Sequence, residues 1–266
     1  LGHEVCVASD GCGWKNYPRD IALDRPTNSL YDGISCLLRI LRHLPSFRNY
    51  DVVQLISPYF LHLRSERTLP AYHYLRRFNG KVFLGAFGTD YYYIRACMET
   101  DTYRYSDFKT GNCYRDTDFN KMTLQDWYYG GAAHATRTIA ESCNGIMACL
   151  WEYYVAYQLL FPEKTAFVPL PINLHKIVSR IRTVPEILNF FIGIQNFKDT
   201  VKGTDVMLPV LQEVQRKHPD LCRITEVHDV PYARYQQLMD DADVQLDQLY
   251  SYTPSMNSCL LYTSPS

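Results

Sequence analysis

Two lysines and a glycine stand just beyond an apolar run in the segment Phe190 to Asp205, FFIGIQNFKDTVKGTD, and that combination suits a phosphate. Phe190, Phe191, Ile192 and Ile194 read as a buried parallel strand, with Gly193 permitting close backbone approach. Lys202-Gly203-Thr204-Asp205 then offers a helix start, because Met207, Val210, Leu211 and Val214 recur at helical spacing until His218 and Pro219 stop them. Lys198, Lys202 and the helix N-terminus thus come to one place, where amide N–H groups and the positive end of the helix dipole favour an anion. The competing reading of each lysine is a solvated surface charge, since neither a GxGxxG nor a Walker pattern is present. Two acids complete the set. Asp247 stands at a strand end, the edge of a parallel sheet where α/β ligands bind, and reads equally as a solvated turn acid. Asp90, in Gly88-Thr89-Asp90 after another strand, lies at the carboxyl edge of its sheet, and reads equally as a helix cap.

The elements that must hold these residues alternate between strand and helix, which predicts parallel α/β sheets. Strands are expected at Glu4 to Ala8, Asp51 to Ser57, Lys81 to Ala86, Gly145 to Leu150 and Thr165 to Pro169. Leu30, Ile34, Leu37, Leu38, Leu41 and Leu44 form an apolar helical stripe between the first two. Pro169 and Pro171 mark a break, after which strands are expected at Asn189 to Gln195, Arg223 to His228 and Asp243 to Leu249. From Tyr91 to Trp127 the periodicity fails and tyrosines accumulate: Tyr91, Tyr92, Tyr93, Tyr103, Tyr105 and Tyr114. That stretch predicts a long loop, either an aromatic platform whose faces could stack on a ligand ring or an insertion packed on its own tyrosines.

Composition narrows the class. A chain of 266 residues, 47% hydrophobic and 14% aromatic, can bury a sizeable core. A formal charge of −1 without a basic stripe gives no reason to expect nucleic acid. No apolar stretch approaches the ~20 residues of a membrane span and no signal peptide is visible, so the expected location is cytoplasmic. Nine cysteines without a CxxC pair suggest neither a disulfide framework nor zinc, and Cys6 and Cys149 are expected as buried free thiols. The histidines show no metal spacing.

Three stretches in this order carry a resemblance: LGHEVCVASDG (Leu1 to Gly11), the KGTD helix start, and VPYARYQQLMDDADVQLDQLYSYTPSMN (Val230 to Asn257). Together the chain resembles the retaining GT-B glycosyltransferases of family 4, the glycosyl transferases group 1. The resemblance implies two Rossmann-like domains. An acceptor-side domain would span residues 1–172, lacking its first strand, and the first half of a nucleotide-sugar domain would span 173–257. Leu1 reads as the tail of a helix, and the tail 258–266, SCLLYTSPS, reads as non-native sequence. The fragment as given is then expected to be inactive.

Family chemistry needs positive charge at the leaving diphosphate and carboxylates around the sugar. The resemblance assigns Lys202 and Gly203 to the diphosphate, with Gly193 beside them. Lys198 is the nearest cation to a place where the family keeps a basic residue and this chain has Gln195 and Asn196. Asp247 takes the position that meets the sugar hydroxyls. The eighth residue after it is Ser255 rather than a carboxylate, so the ribose contact falls to Asn257 or outside the sequence. Asp90 matches a glycine and aspartate signature, with Phe87 where a histidine is usual, and the resemblance gives it an acceptor hydroxyl or the donor sugar to position. The resemblance implies no cofactor and no metal, a nucleotide-sugar donor, and a glycan or lipid-linked acceptor, the latter bringing peripheral membrane contact. A non-catalytic nucleotide-sugar or polysaccharide-binding protein, or another GT-B enzyme such as a nucleotide-sugar epimerase, are the alternatives.

Overall fold

The computed structural model describes residues 2–10, 18–27, 29–61, 63, 65–171, 185–194, 199–228 and 230–253. The chain is α/β with parallel sheets, and it divides into two compact units, Leu1–Arg95 with Thr123–Pro169, and Ala96–Met122 with Leu170–Ser266. The division near Pro169 lies close to the prolines that mark it in sequence. The segment 96–122, in contrast, belongs with the second unit.

In chain order, β1 (Ala8–Ser9) pairs in parallel with β2 (Ile21–Ala22). Next come α1 (Leu30–His43), β3 (Val52–Leu55), α2 (Ser65–Phe78), β4 (Lys81–Ala86) and α3 (Tyr91–Glu99). An antiparallel pair follows, β5 (Lys109–Thr110) with β6 (Cys113–Tyr114). The chain continues through α4 (Asp118–Trp127), α5 (Gly131–Ser142), β7 (Gly145–Ala148), α6 (Trp151–Gln158) and β8 (Thr165–Phe167). In the first unit the sheet order β3-β4-β7-β8 is parallel throughout, so each crossover moves one step in the same direction. Val82, Leu84 and Ala86 of β4 and Ile146 and Ala148 of β7 form its middle, covered by Tyr72, Ile139 and Tyr157.

The span expected between Tyr91 and Trp127 is not a loop. It forms α3, the β5–β6 hairpin and α4. Tyr92, Tyr93, Ala96 and Cys97 recur at the i, i+1, i+4, i+5 positions of one helix face and are each at most 4% exposed, so the tyrosines here serve as core residues. The α1 stripe also departs from expectation. Its helix forms, with the Ser29 hydroxyl accepting from the Asp32 N–H at 3.1 Å. Cys36 and Ile40 are the buried positions, packed with Leu23, Leu61 and Leu63. Leu30, Ile34, Leu38 and Leu41 stand 50–81% exposed. Cys6, expected inside, is exposed, whereas Cys149 is buried.

The second unit continues with β9 (Leu188–Ile194), α7 (Asp199–Lys202), α8 (Thr204–Lys217), β10 (Cys222–His228), α9 (Tyr232–Asp240) and β11 (Val244–Leu246). Its three strands are parallel in the order β10-β9-β11. Buried Asn189 pins their amino ends. Its N–H donates to Asp243 Oδ2 at 2.8 Å, its Nδ2 to the Asp241 carbonyl at 2.9 Å, and its Oδ1 accepts from Thr225 Oγ1 at 2.9 Å. Phe191 and Ile192 are fully enclosed, with Phe191 among Val227, Met239 and Ala242. Among the described residues, no helix is long and apolar enough to cross a membrane.

Candidate functional site

The order β10-β9-β11 reverses direction at β9, and open parallel sheets bind ligands where such a reversal parts the crossovers, beyond the carboxyl ends of the strands. β9 and β11 are neighbours there, with Phe190 opposite Val244 and Ile192 opposite Leu246. The chain leaving β9 runs to α7, which ends in Lys202, and the residue leaving β11 is Asp247. The sheet therefore brings together two residues separated in sequence by α8, β10 and α9. Lys202 Nζ lies 4.0 Å from Asp247 Oδ1, with side chains 22% and 8% exposed. That distance is an ion pair and too long for a hydrogen bond, so the ammonium can turn to a ligand anion without breaking one.

Gly203 is demanded twice at this corner. Its φ is 79°, the left-handed region that costs a side chain energy, and a Cβ would fall 2.7 Å from Leu249 Cβ and 2.9 Å from the Tyr250 ring. It is the N-cap of α8, and no side chain caps that terminus. Thr204, expected within the cap, is buried and its Oγ1 donates to the Asp199 carbonyl at 3.3 Å. The N–H of Leu249 donates to the Lys202 carbonyl at 2.7 Å, which ties α7 to the chain after β11. At Gly193 the close approach is made by the Tyr235 hydroxyl, since a Cβ there would collide with it. Tyr235 meets Phe191 edge-on at 5.1 Å, so Gly193 makes room for α9.

A cavity of about 280 Å³ opens beside these residues, lined by Met207, Gln245, Asp247, Gln248, Ser251 and Thr253. It falls at the small end of the roughly 300–1,000 Å³ usual for ligand pockets and suits a phosphate or one sugar ring. Gln248 Nε2 donates to the Thr253 carbonyl at 2.7 Å and Ser251 Oγ to the same carbonyl at 3.0 Å, which folds the lining loop onto itself. Gln245 Oε1 is buried without a hydrogen-bond partner, leaving an acceptor for a ligand hydroxyl or amide. Gln245, Gln248, Ser251 and Thr253 were not legible as site residues. Their common signal is position, at and just beyond the carboxyl end of β11.

Asp90 is elsewhere, in the first unit. Its Oδ1 accepts from the N–H groups of Tyr92 and Tyr93 at 2.9 and 3.1 Å, and its Oδ2 from the Tyr157 hydroxyl at 2.6 Å. It is the N-cap of α3, at 2% exposure. Burial pushes its carboxyl up to about 6, against three hydrogen bonds that favour the charged form. Burial, with the Asp90 charge next, holds the Tyr157 phenol well above its ordinary range. Lys198 and Asn257 lie outside the described residues. Among the described residues, no group of three or more His, Cys, Asp and Glu is arranged to hold a metal ion. In comparison with known proteins, no protein-family model matches this chain and no curated protein matches it.

Proposed function

We propose that this chain is a retaining glycosyltransferase of GT-B type that moves a sugar from a nucleotide-sugar donor to a glycan or lipid-linked acceptor. The observation that carries the reading is the pairing of Lys202 with Asp247 beside the α8 N-terminus, at the carboxyl ends of adjacent parallel strands. In this reading the bond from the sugar carbon to the diphosphate oxygen breaks, the acceptor hydroxyl oxygen takes its place on the same face, and the hydroxyl proton passes to the departing diphosphate. Lys202 and the first amides of α8 meet the negative charge that collects on the leaving diphosphate. Asp247 holds sugar hydroxyls, and its nearness to Lys202 lessens its repulsion of the phosphates. These protein charges stand where other fold types use a cation, so the proposed reaction is metal-independent.

The sequence departures at Phe87 and Ser255 support a second reading, a nucleotide-sugar or polysaccharide-binding protein without transfer activity. A third is another GT-B enzyme, such as a nucleotide-sugar epimerase. One experiment separates them. The full-length protein is incubated with a panel of nucleotide sugars and a mixed glycan acceptor pool, and free nucleoside diphosphate is measured alongside direct binding. Release of diphosphate with sugar transfer supports the transferase. Binding without release supports the binder, and an altered sugar without transfer supports the epimerase. No binding of any nucleotide sugar defeats the transferase and the epimerase, and leaves of the second reading only polysaccharide binding.

A further inference from the structure

Arg115, just after β6, touches both halves of the candidate site. Its Nη2 donates to the Thr200 carbonyl on α7, the helix that ends in Lys202. Its guanidinium carbon lies 3.4 Å from the centroid of the Tyr250 ring, in the loop that carries Asp247. Its Nη1 donates to the Asp107 carbonyl at 2.9 Å. The residue is itself held from behind. Its N–H donates to the Phe108 carbonyl at 2.9 Å, and its carbonyl accepts from Nδ2 of Asn120, which is 1% exposed and also donates to the Asp107 carbonyl. A second clamp lies alongside, where Tyr105 stacks on Tyr252 at 4.4 Å and 8° and the Tyr252 hydroxyl accepts from the Arg104 N–H at 2.7 Å.

We propose that Arg115 is a positioning residue for the candidate donor site, setting the separation of Lys202 and Asp247 by bracing α7 and the loop after β11 from one planar side chain. The ligand side of this inference rests on the reading of the site as a nucleotide-sugar pocket. The brace itself rests on the contacts alone. A guanidinium suits the task because it donates in two directions in its plane while its face stacks on a ring, whereas a lysine ammonium offers neither a fork nor a face. Small displacements of paired groups in a charged site cost binding steeply, since both the ion pair and the helix-end amides act over short range. The hairpin segment 96–122 thereby becomes part of the site's frame, although it contributes no residue to the cavity wall named above.

The test uses the full chain as wild type, Arg115→Lys and Arg115→Ala. Amide hydrogen exchange is read at Leu249, whose N–H bonds to Lys202, and at Leu84 in the first unit as a control. Affinity is measured for uridine, guanosine and adenosine diphosphate. The brace predicts at least tenfold faster exchange at Leu249 in both variants, with Leu84 unchanged. It also predicts about tenfold weaker binding of whichever diphosphate the wild type takes, with lysine rescuing little. In turnover, the donor KM should rise while kcat holds. Unchanged exchange at Leu249 overturns the proposal, as does unchanged affinity alongside faster exchange. Should Arg115→Ala fail to fold, Arg115→Lys gives the same readouts. Should the wild type bind none of the three diphosphates, the nucleotide-sugar reading falls, and exchange at Leu249 decides the brace by itself.

Discussion

Asp90, buried at the start of α3 and bonded by Tyr92, Tyr93 and Tyr157, carries its own pH signature. A carboxyl raised to about 6 is protonated in the folded state at pH values where the unfolded chain has already released its proton. Its contribution to stability is therefore fully present below about pH 4 and is lost as pH rises through about 6, a change of about 3 kcal/mol. Asp90→Asn keeps a capping oxygen and removes the charge. Urea denaturation from pH 4 to pH 7.5 should show the variant gaining about that much on the wild type, with sugar transfer little changed. A parallel stability curve for the two proteins would contradict the closed environment of this carboxyl. At the other acid the expectation is reversed. Asp247→Asn should lower turnover with a nucleotide sugar while affinity for the bare nucleoside diphosphate holds or tightens, because the lysine keeps its charge and loses its partner. Lys202→Ala should weaken the diphosphate roughly ten- to a hundredfold, the range of about 1.5–3 kcal/mol for charge-assisted contacts. Isothermal titration with the diphosphate and initial rates with the sugar nucleotide distinguish the two roles.

At the scale of elements, alternation of strand and helix was legible because parallel strands buried on both faces read as short apolar runs. β4, β7, β9, β10 and α8 appear within a few residues of where the sequence puts them. The positions of Lys202 and Gly203 before a helix, and of Asp247 after a strand, were legible as well. What escaped was anything decided by a distant neighbour. Arg115 carries no local signal, and its value comes from Thr200 and Tyr250. The role of Gly193 depends on Tyr235 of α9, a partner invisible in the FFIGI run. In α1 the periodicity shows which residues share a face, while the face that is covered is set by Leu23, Leu61 and Leu63. Substitutions should report this directly. Leu38→Gln is expected to change stability by no more than about 0.5 kcal/mol, and Ile40→Ala to cost about 2–4 kcal/mol, both by chemical denaturation. A large loss at Leu38 would place the covered face on the other side of the helix.

For the whole molecule, composition set the class and little more. With a formal charge of −1 the chain offers no long-range attraction to an anion, so in the proposed reading the diphosphate is met locally, by Lys202 and a helix end. If that is the full means of stabilising the leaving group, exhaustive treatment with a chelator should leave turnover unchanged, and added magnesium or manganese should not raise it. A loss of activity on chelation, restored by a divalent ion, would require a different chemistry at the pocket. The allegiance of residues 96–122 to the second unit was beyond the sequence, because a segment between two helices can pack on either side of a break and the choice is tertiary.

The strand order β10-β9-β11 also has a consequence in time. Lys202 closes the first helix after β9, but Asp247 arrives only after the chain has made α8, β10 and α9 and crossed back over β9. Non-local parallel pairing is slow, because chain entropy is lost before the contacts form. β11, three residues long and with one strand neighbour among the described residues, also has few bonds to hold it. A refolding chain is thus expected to regain its helices and the β9–β10 pair while its lysine still lacks an acid, so that the proposed competence to bind would be the last property it acquires and the first it loses.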